Sequence, residues 1–351
     1  MSWPNMSWPN KSPAKKSLAD DSPAQNIGAR APLVLCTGII VLNKVFRVEE
    51  LPQPDGKVEA KDFFMVNGGC AANAAVAVAR LGGRAALAGP LGGPAGEDGN
   101  GDLVLAALAR ETVDCNACQR IDGLATGLSA IFIDGSGDRT IVTYRDQRIA
   151  TVTPADPEGV AAVADLVLAD NRYPQFVRPI CEAARRRKLR IVLDADKATV
   201  EDDVLFRLAS HVVFSAECLR ATTGRGDLAE GLQAIARQTD AFLAVSNGPN
   251  DILFLEAGAL RRVPVFAIRA VDTLGAGDAL HGGFALALAE GQSEAEALRF
   301  GAAVAGIKCT RIGGSAGAPR RAEVEAFLAE RASVIPGRRR SRGPGIYNQE
   351  E

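Results

Sequence analysis

Short apolar runs alternate with helical periodicity along most of the chain. Leu33 to Val41 is one continuous apolar run closed by Asn43-Lys44, the pattern of a buried parallel strand. Asn73 to Leu81 is rich in Ala and Val and predicts a helix stopped by Gly82-Gly83. Ala85 to Ala88 predicts a short strand and Asp102 to Arg110 a helix. Further apolar runs begin at Leu166, Ile191, Val212 and Phe242, with helical stretches such as Pro174 to Lys188 between them. The basic run Arg185 to Lys188 ends that helix and complements its dipole. Such βαβ alternation predicts an α/β fold: a mainly parallel sheet with helices on both faces.

Two regions break the alternation. Val45–Val66 and Gln119–Ile149 are strand-rich and carry the turn signals Pro54-Asp-Gly56 and Asp134-Gly-Ser-Gly137. They predict a small β-sheet appended to the main one, placed to act as a lid. Residues 1–30 are polar and contain MSWPN twice, so they are expected to be disordered. One folded domain then runs over 31–335, and 336–351 is a basic tail expected to be a solvated terminus.

Composition narrows the function. The 351 residues carry a net charge of −2 and only 5% aromatics, which argues against nucleic-acid binding. No apolar run reaches the ~18 residues of a membrane helix. No secretory leader pattern is seen, so the seven Cys are expected to be reduced thiols in a cytoplasmic protein. The lone Cys115-x-x-Cys118 lacks the second pair a zinc site needs. With His211 and His281 the only histidines, proton transfer falls to a carboxylate.

The strongest motif is Asp272-Thr-Leu-Gly-Ala-Gly-Asp278, which leads straight into an apolar periodic helix. The unpaired amides and positive dipole end of a helix N-terminus bind anions. Gly275, Ala276 and Gly277 let an anion approach closely, and Asp278 lies within the same turn. Donor amides beside a potential base are what phosphoryl transfer needs. No GxxxxGK[ST] or strand-following GxGxxG competes with this reading. A second helix opens at Asn67-Gly-Gly-Cys-Ala-Ala-Asn73, where Gly68-Gly69 gives backbone access and Asn73 suits sugar hydroxyls.

Together these motifs resemble the two signatures of the ribokinase, or PfkB, family of carbohydrate kinases, over about Leu33 to Leu328. The resemblance implies a three-layer α/β/α core with a β lid over the sugar. It implies Asp278 as general base and the Gly275-Ala276-Gly277 amides as the anion hole for the γ-phosphate of ATP, with Mg2+ bridging the phosphates. Asn43, Gly68, Gly69 and Asn73 would face the sugar. Ser246-Asn-Gly248 resembles the nucleotide turn, Gly313-Gly314 the loop near the nucleotide, and Asp272 a position that holds a monovalent cation such as K+ in many members. A homodimer joined through the lid sheets is also implied.

There are departures. Asn43 stands where many members have Asp, the Asn-x-x-Glu motif reads Ser215-Ala-Glu-Cys218, and Asp251 replaces a second Gly of the nucleotide turn. Stretches at Gly38–Lys44, Gly56-Lys57, Leu168–Arg172, Phe214-Ser215 and Lys308–Gly317 resemble the sulfofructose kinase branch, in which Lys57 and Arg172 would meet an anionic group. Thr143 stands where that branch is expected to have Asn. The expected function is ATP-dependent phosphorylation of a primary hydroxyl on a ketose or furanose, including an anionic one such as 6-deoxy-6-sulfofructose. A nucleoside kinase and a catalytically inactive sugar sensor are the alternatives.

Overall fold

The strands in chain order are β1 (Leu33–Thr37), β2 (Val41–Arg47), β3 (Asp62–Gly68), β4 (Arg84–Ala88), β5 (Pro90–Gly93), β6 (Gln119–Asp122), β7 (Gly127–Ile133), β8 (Arg139–Tyr144), β9 (Leu166–Asp170), β10 (Arg190–Ala195), β11 (His211–Ser215), β12 (Phe242–Asn247), β13 (Asn250–Glu256) and β14 (Ala259–Val263). The helices are α1 (Cys70–Arg80), α2 (Gly99–Arg110), α3 (Pro157–Ala162), α4 (Pro174–Arg186), α5 (Val204–Leu208), α6 (Ala216–Thr223), α7 (Leu228–Ile235), α8 (Ala276–Ala289), α9 (Glu294–Cys309) and α10 (Arg321–Ala332). This computed structural model describes residues 30–332 apart from 136–138. The MSWPN repeat and the basic tail lie outside the described residues.

The main sheet has the order β14-β13-β12-β11-β10-β9-β1-β4. From β4 to β12 its pairs are parallel, and β13 and β14 add an antiparallel edge. Alternate residues of each strand feed opposite layers, as a period of two requires. Val34, Cys36, Leu168 and Val213 pack with α1, α8 and α9, while Leu35, Val167, Leu193 and Phe214 pack with α4 to α7. The result is the expected mainly parallel sheet between two helical layers.

Chain order reverses around β1, which lies between β4 and β9. A crevice forms at such a switch point, beyond the carboxyl ends of the strands. The functional residues described below gather there.

A second, four-stranded sheet, β3-β2-β7-β8, is the one expected to act as a lid. Its bounds differ from the expected ones in two places. The apolar run from Leu33 is not one strand: it breaks at Gly38, whose φ is 148°, and β2 leaves for the lid already at Val41. A side chain at Gly38 would overlap the carboxylate of Asp170, so only glycine fits at this turn. Gln119–Asp122 belongs not to the lid but to a two-stranded parallel ribbon with β5. Among the described residues no helix is long and apolar enough to cross a membrane, and all seven cysteines are unpaired.

Candidate active site

The helix α8 is apolar on nearly every side; Ala279 to Leu288 are all buried. Its N-terminus is therefore held in place by the core. Gly275 caps it in the left-handed region, with φ 75°. The amides of the first turn have no acceptor within the helix. A Cβ placed on Gly277 would meet no atom within 4 Å, so its backbone faces open space that a ligand can use.

Small residues bring α1 against α8. A Cβ on Gly282 would stand 2.7 Å from the carbonyl oxygen of Ala74 and 2.9 Å from Cβ of Ala77. This close packing lets Asn73 of α1 reach Asp278 of α8, and its Nδ2 donates to Oδ2 at 2.6 Å. Asn67 donates to Oδ1 of Asn73 at 3.2 Å, and the Ser315 hydroxyl donates to Asn67 at 3.1 Å. The amide of Asn73, expected at the sugar, is thus engaged in orienting the carboxylate. Burial raises the Asp278 pKa to about 6, against the lowering effect of Asn73. A base with a pKa near working pH is well matched to its task.

Asp278 has close acidic neighbours. Ligand atoms of Cys70, Asp194 and Asp278 all lie within 4.8 Å of one another. Burial, then the carboxylates of Asp278, Asp196 and Asp170, push Asp194 well above the ordinary carboxylate range. Arg172 pairs with Asp196, its Nε at 2.9 Å from Oδ2. Asp170 at the end of β9 accepts the amides of Ile39 (2.8 Å), Ala71 (3.2 Å) and Arg172 (2.9 Å), and burial raises its pKa to about 6. One carboxylate therefore ties the β1–β2 turn to the start of α1. His281, one turn beyond Asp278, is buried with Nδ1 at 2.8 Å from the carbonyl of Gly277 and Nε2 at 3.2 Å from that of Val213. Burial lowers its pKa, and Nε2 also stands 3.4 Å from Oδ1 of Asp194, so the ring is fixed between α8, β11 and β10.

The lid residues divide. Asn43 on β2 is buried, and Gly68 must lack a side chain because its Cβ would overlap the Asn43 amide. Gly69, at φ 93°, caps α1. Lys57 lies exposed on the loop between β2 and β3, and the structure does not bring it to the carboxylate cluster.

Beside the first turn of α8 lies a cavity of ≈ 680 Å³. Ser246, Gly248, Thr273, Ala276 and Gly277 line its polar end; Val265, Phe266, Ile268 and Leu280 line its apolar part. A further cavity of ≈ 450 Å³, lined by residues such as Arg185, Arg207 and Thr239, shares no residue with it. Gly313 and Gly314 do not line the larger cavity. Their amides donate to the carboxylate of Asp272 at 3.0 and 3.1 Å. Asp272 also meets the ammonium of Lys308, so the oxygens expected to hold a cation already have partners.

Sequence reasoning missed Cys70, Asp170, Asp194, Asp196 and Lys308. A carboxylate closing an apolar strand, as in Leu166–Asp170 and Ile191–Asp194, was the available signal for two of them.

The chain matches the pfkB family carbohydrate kinase model over residues 31–321. Ribokinase of Haemophilus influenzae is 27% identical over 301 residues, 83% of this chain and 96% of that protein. Fructokinase-1 of Zea mays is 26% identical over 292 residues, 76% of this chain and 89% of that protein. A solved structure from Agrobacterium tumefaciens, described as a candidate ribokinase, is 35% identical with a TM-score of 0.82, covering 87% of this chain and 100% of that one. The ribokinase-like α/β fold is thereby shared along the described domain. A family model that spans both signatures and the strands between them leaves one assignment: the chain belongs to the pfkB family of carbohydrate kinases, and it is an ATP-dependent sugar kinase.

Proposed function

We propose that the enzyme transfers the γ-phosphoryl group of ATP to a primary hydroxyl of a ribose- or fructose-like sugar, with Asp278 as the general base. The observation that carries this reading is positional. Asp278 sits in the helical turn whose residues Ala276 and Gly277 line the ≈ 680 Å³ cavity. The volume and apolar lining suit a nucleotide base, with Ser246 and Gly248 at its edge. The Gly275-Ala276-Gly277 amides then face the transferring phosphoryl group, where oriented donors stabilise developing charge. Asp278 takes the acceptor proton as the oxygen attacks.

Mg2+ bound with the nucleotide would supply charge neutralisation at the phosphates. Asp194 and Asp196 would hold it: a cation there would offset the crowding of carboxylates that raises Asp194, and would share Asp196 with Arg172. At the position of the Asn-x-x-Glu motif Ser215 caps α6, and Glu217 is exposed on its first turn. Asn43, Gly68 and Gly69 form the lid side of the sugar site. Unpaired thiols support a reducing, cytoplasmic location. Exposed apolar residues on the lid support a homodimer.

Relatives named ribokinase and fructokinase support a neutral acceptor. An anionic ketose such as 6-deoxy-6-sulfofructose is the second reading, favoured by Arg172 beside the cluster and weakened by its pairing with Asp196. The test is an ATP-dependent phosphorylation assay over ribose, fructose, 6-deoxy-6-sulfofructose and adenosine, with Asp278→Asn beside wild type. Turnover of ribose or fructose that is lost in Asp278→Asn is expected. Adenosine as the best acceptor makes it a nucleoside kinase, binding without turnover makes it a sensor, and equal activity of both proteins removes Asp278 as base.

A further inference from the structure

Lys308 occupies the last turn of α9 and is fully buried. A buried ammonium without partners is strongly unfavourable, so its surroundings must supply oxygens. Among the described residues they come from one. Nζ of Lys308 donates to the main-chain oxygen of Asp272 at 2.8 Å and stands 3.1 Å from Oδ2 of the same residue. That carboxylate also accepts the amides of Leu274 (2.8 Å), Gly313 (3.0 Å) and Gly314 (3.1 Å). The Cys309 carbonyl, next in the chain, accepts the amides of Val271 (2.8 Å) and Asp272 (3.2 Å). The Lys308–Asp272 pair thus clamps the 309–314 loop to the segment that delivers Gly275, Ala276 and Gly277 to the head of α8.

The resemblance to the family implies a monovalent cation on Asp272. The residues present do not fit one. An ion there would need Asp272 Oδ2 and the neighbouring carbonyls as ligands, and Lys308 already lies on two of these oxygens. An ammonium group has the charge of K+ and nearly its size. It is attached to α9 and cannot dissociate.

We propose that Lys308 is a tethered replacement for a monovalent cation, and that this kinase holds its anion-binding loop in place without K+. The side chain is a positioning residue: it touches neither sugar nor nucleotide, and acts through Asp272 and the loop that Asp272 anchors.

The experiment is a salt series at constant ionic strength, in tetramethylammonium chloride, NaCl and KCl. It reads the thermal midpoint of the ligand-free protein, the MgADP dissociation constant by calorimetry, and turnover. For wild type we expect no K+-specific rise in midpoint and a change below about twofold in the other readouts, since only general screening varies. Lys308→Ala, which leaves room for an ion, is expected to bind MgADP at least about tenfold more weakly in tetramethylammonium, the scale of losing oriented donors, and to recover in KCl. A K+-specific midpoint rise or a severalfold K+ effect on MgADP binding in wild type overturns the proposal. So does a folded Lys308→Ala protein with wild-type MgADP affinity, or one whose loss KCl does not repair. Should Lys308→Ala not fold, Lys308→Met replaces it as the uncharged variant of similar length, and the wild-type series decides alone. The ligand-free melts need no assumption about which sugar is phosphorylated.

Discussion

Asn73 and Asp278 are 205 positions apart in the chain, yet the Nδ2 amide of one donates to Oδ2 of the other at 2.6 Å. The contact holds a carboxylate that burial has made more basic, and it offsets part of that effect. Asp278 accepts a proton only when ionised. With its pKa near 6, kcat/KM is expected to be level above pH 7 and to fall about tenfold per unit below pH 6. Asn73→Ala removes the lowering hydrogen bond and moves this limb to higher pH. Profiles from pH 5 to about pH 9 for both proteins check it; superimposable limbs would detach Asn73 from the base.

The same burial links activity to stability. The folded-state pKa of Asp278 lies above its unfolded value, so the ionised group destabilises the native state. The penalty is absent below the unfolded value of 3.8 and grows as pH rises through about 6. Asp278→Asn is therefore expected to lower kcat by about 10³-fold or more and to raise the thermal midpoint at pH 8. At pH 4 the midpoints should nearly agree. A variant less stable at pH 8 would show that the ionised carboxylate is compensated.

Gly69 joins the lid to α1 at φ 93°, and a side chain there would overlap the carbonyl of Ile39. Gly69→Ala combines a left-handed backbone with that overlap and is expected to cost about 2 kcal/mol or more in urea unfolding. Lid placement suffers with it, so the sugar KM should rise more than the ATP KM. Equal changes in both would place the damage elsewhere.

Strand β8 lies at the edge of the lid, and all six of its residues are exposed. Val142 is 61% and Tyr144 58% exposed, and Phe63 on β3 is 48% exposed. Such an edge invites pairing with another chain. Light scattering at micromolar concentration is expected to give a dimer mass, and Val142→Glu a monomer. A monomeric wild type would refute lid-mediated pairing.

The parallel strands of the core, the helices α1, α2, α4 and α8 and the Asp272–Asp278 motif were legible in the sequence because each depends on neighbours along the chain. Alternation marked the layers, glycines marked the helix ends, and a carboxylate lay within a turn of the amides that open α8. The break of the Leu33–Val41 run was not legible. It falls where the chain passes close against Asp170, whose carboxylate accepts the Ile39 amide from 131 positions away. The ribbon that took Gln119–Asp122 from the lid likewise depends on β5 lying beside it.

The site shows the same division. The sequence by itself determined the reaction class, because helix-opening amides and a carboxylate on one turn suit phosphoryl transfer and two such local motifs together resemble the pfkB signatures. The tertiary structure alone decided the electrostatics. Burial and the meeting of strand ends assemble Asp170, Asp194, Asp196 and Asp278, turn Asn73 toward Asp278, and set the Lys308 ammonium on Asp272. Charges acquire their pKa values and partners from distance and desolvation, and spacing along a chain determines neither.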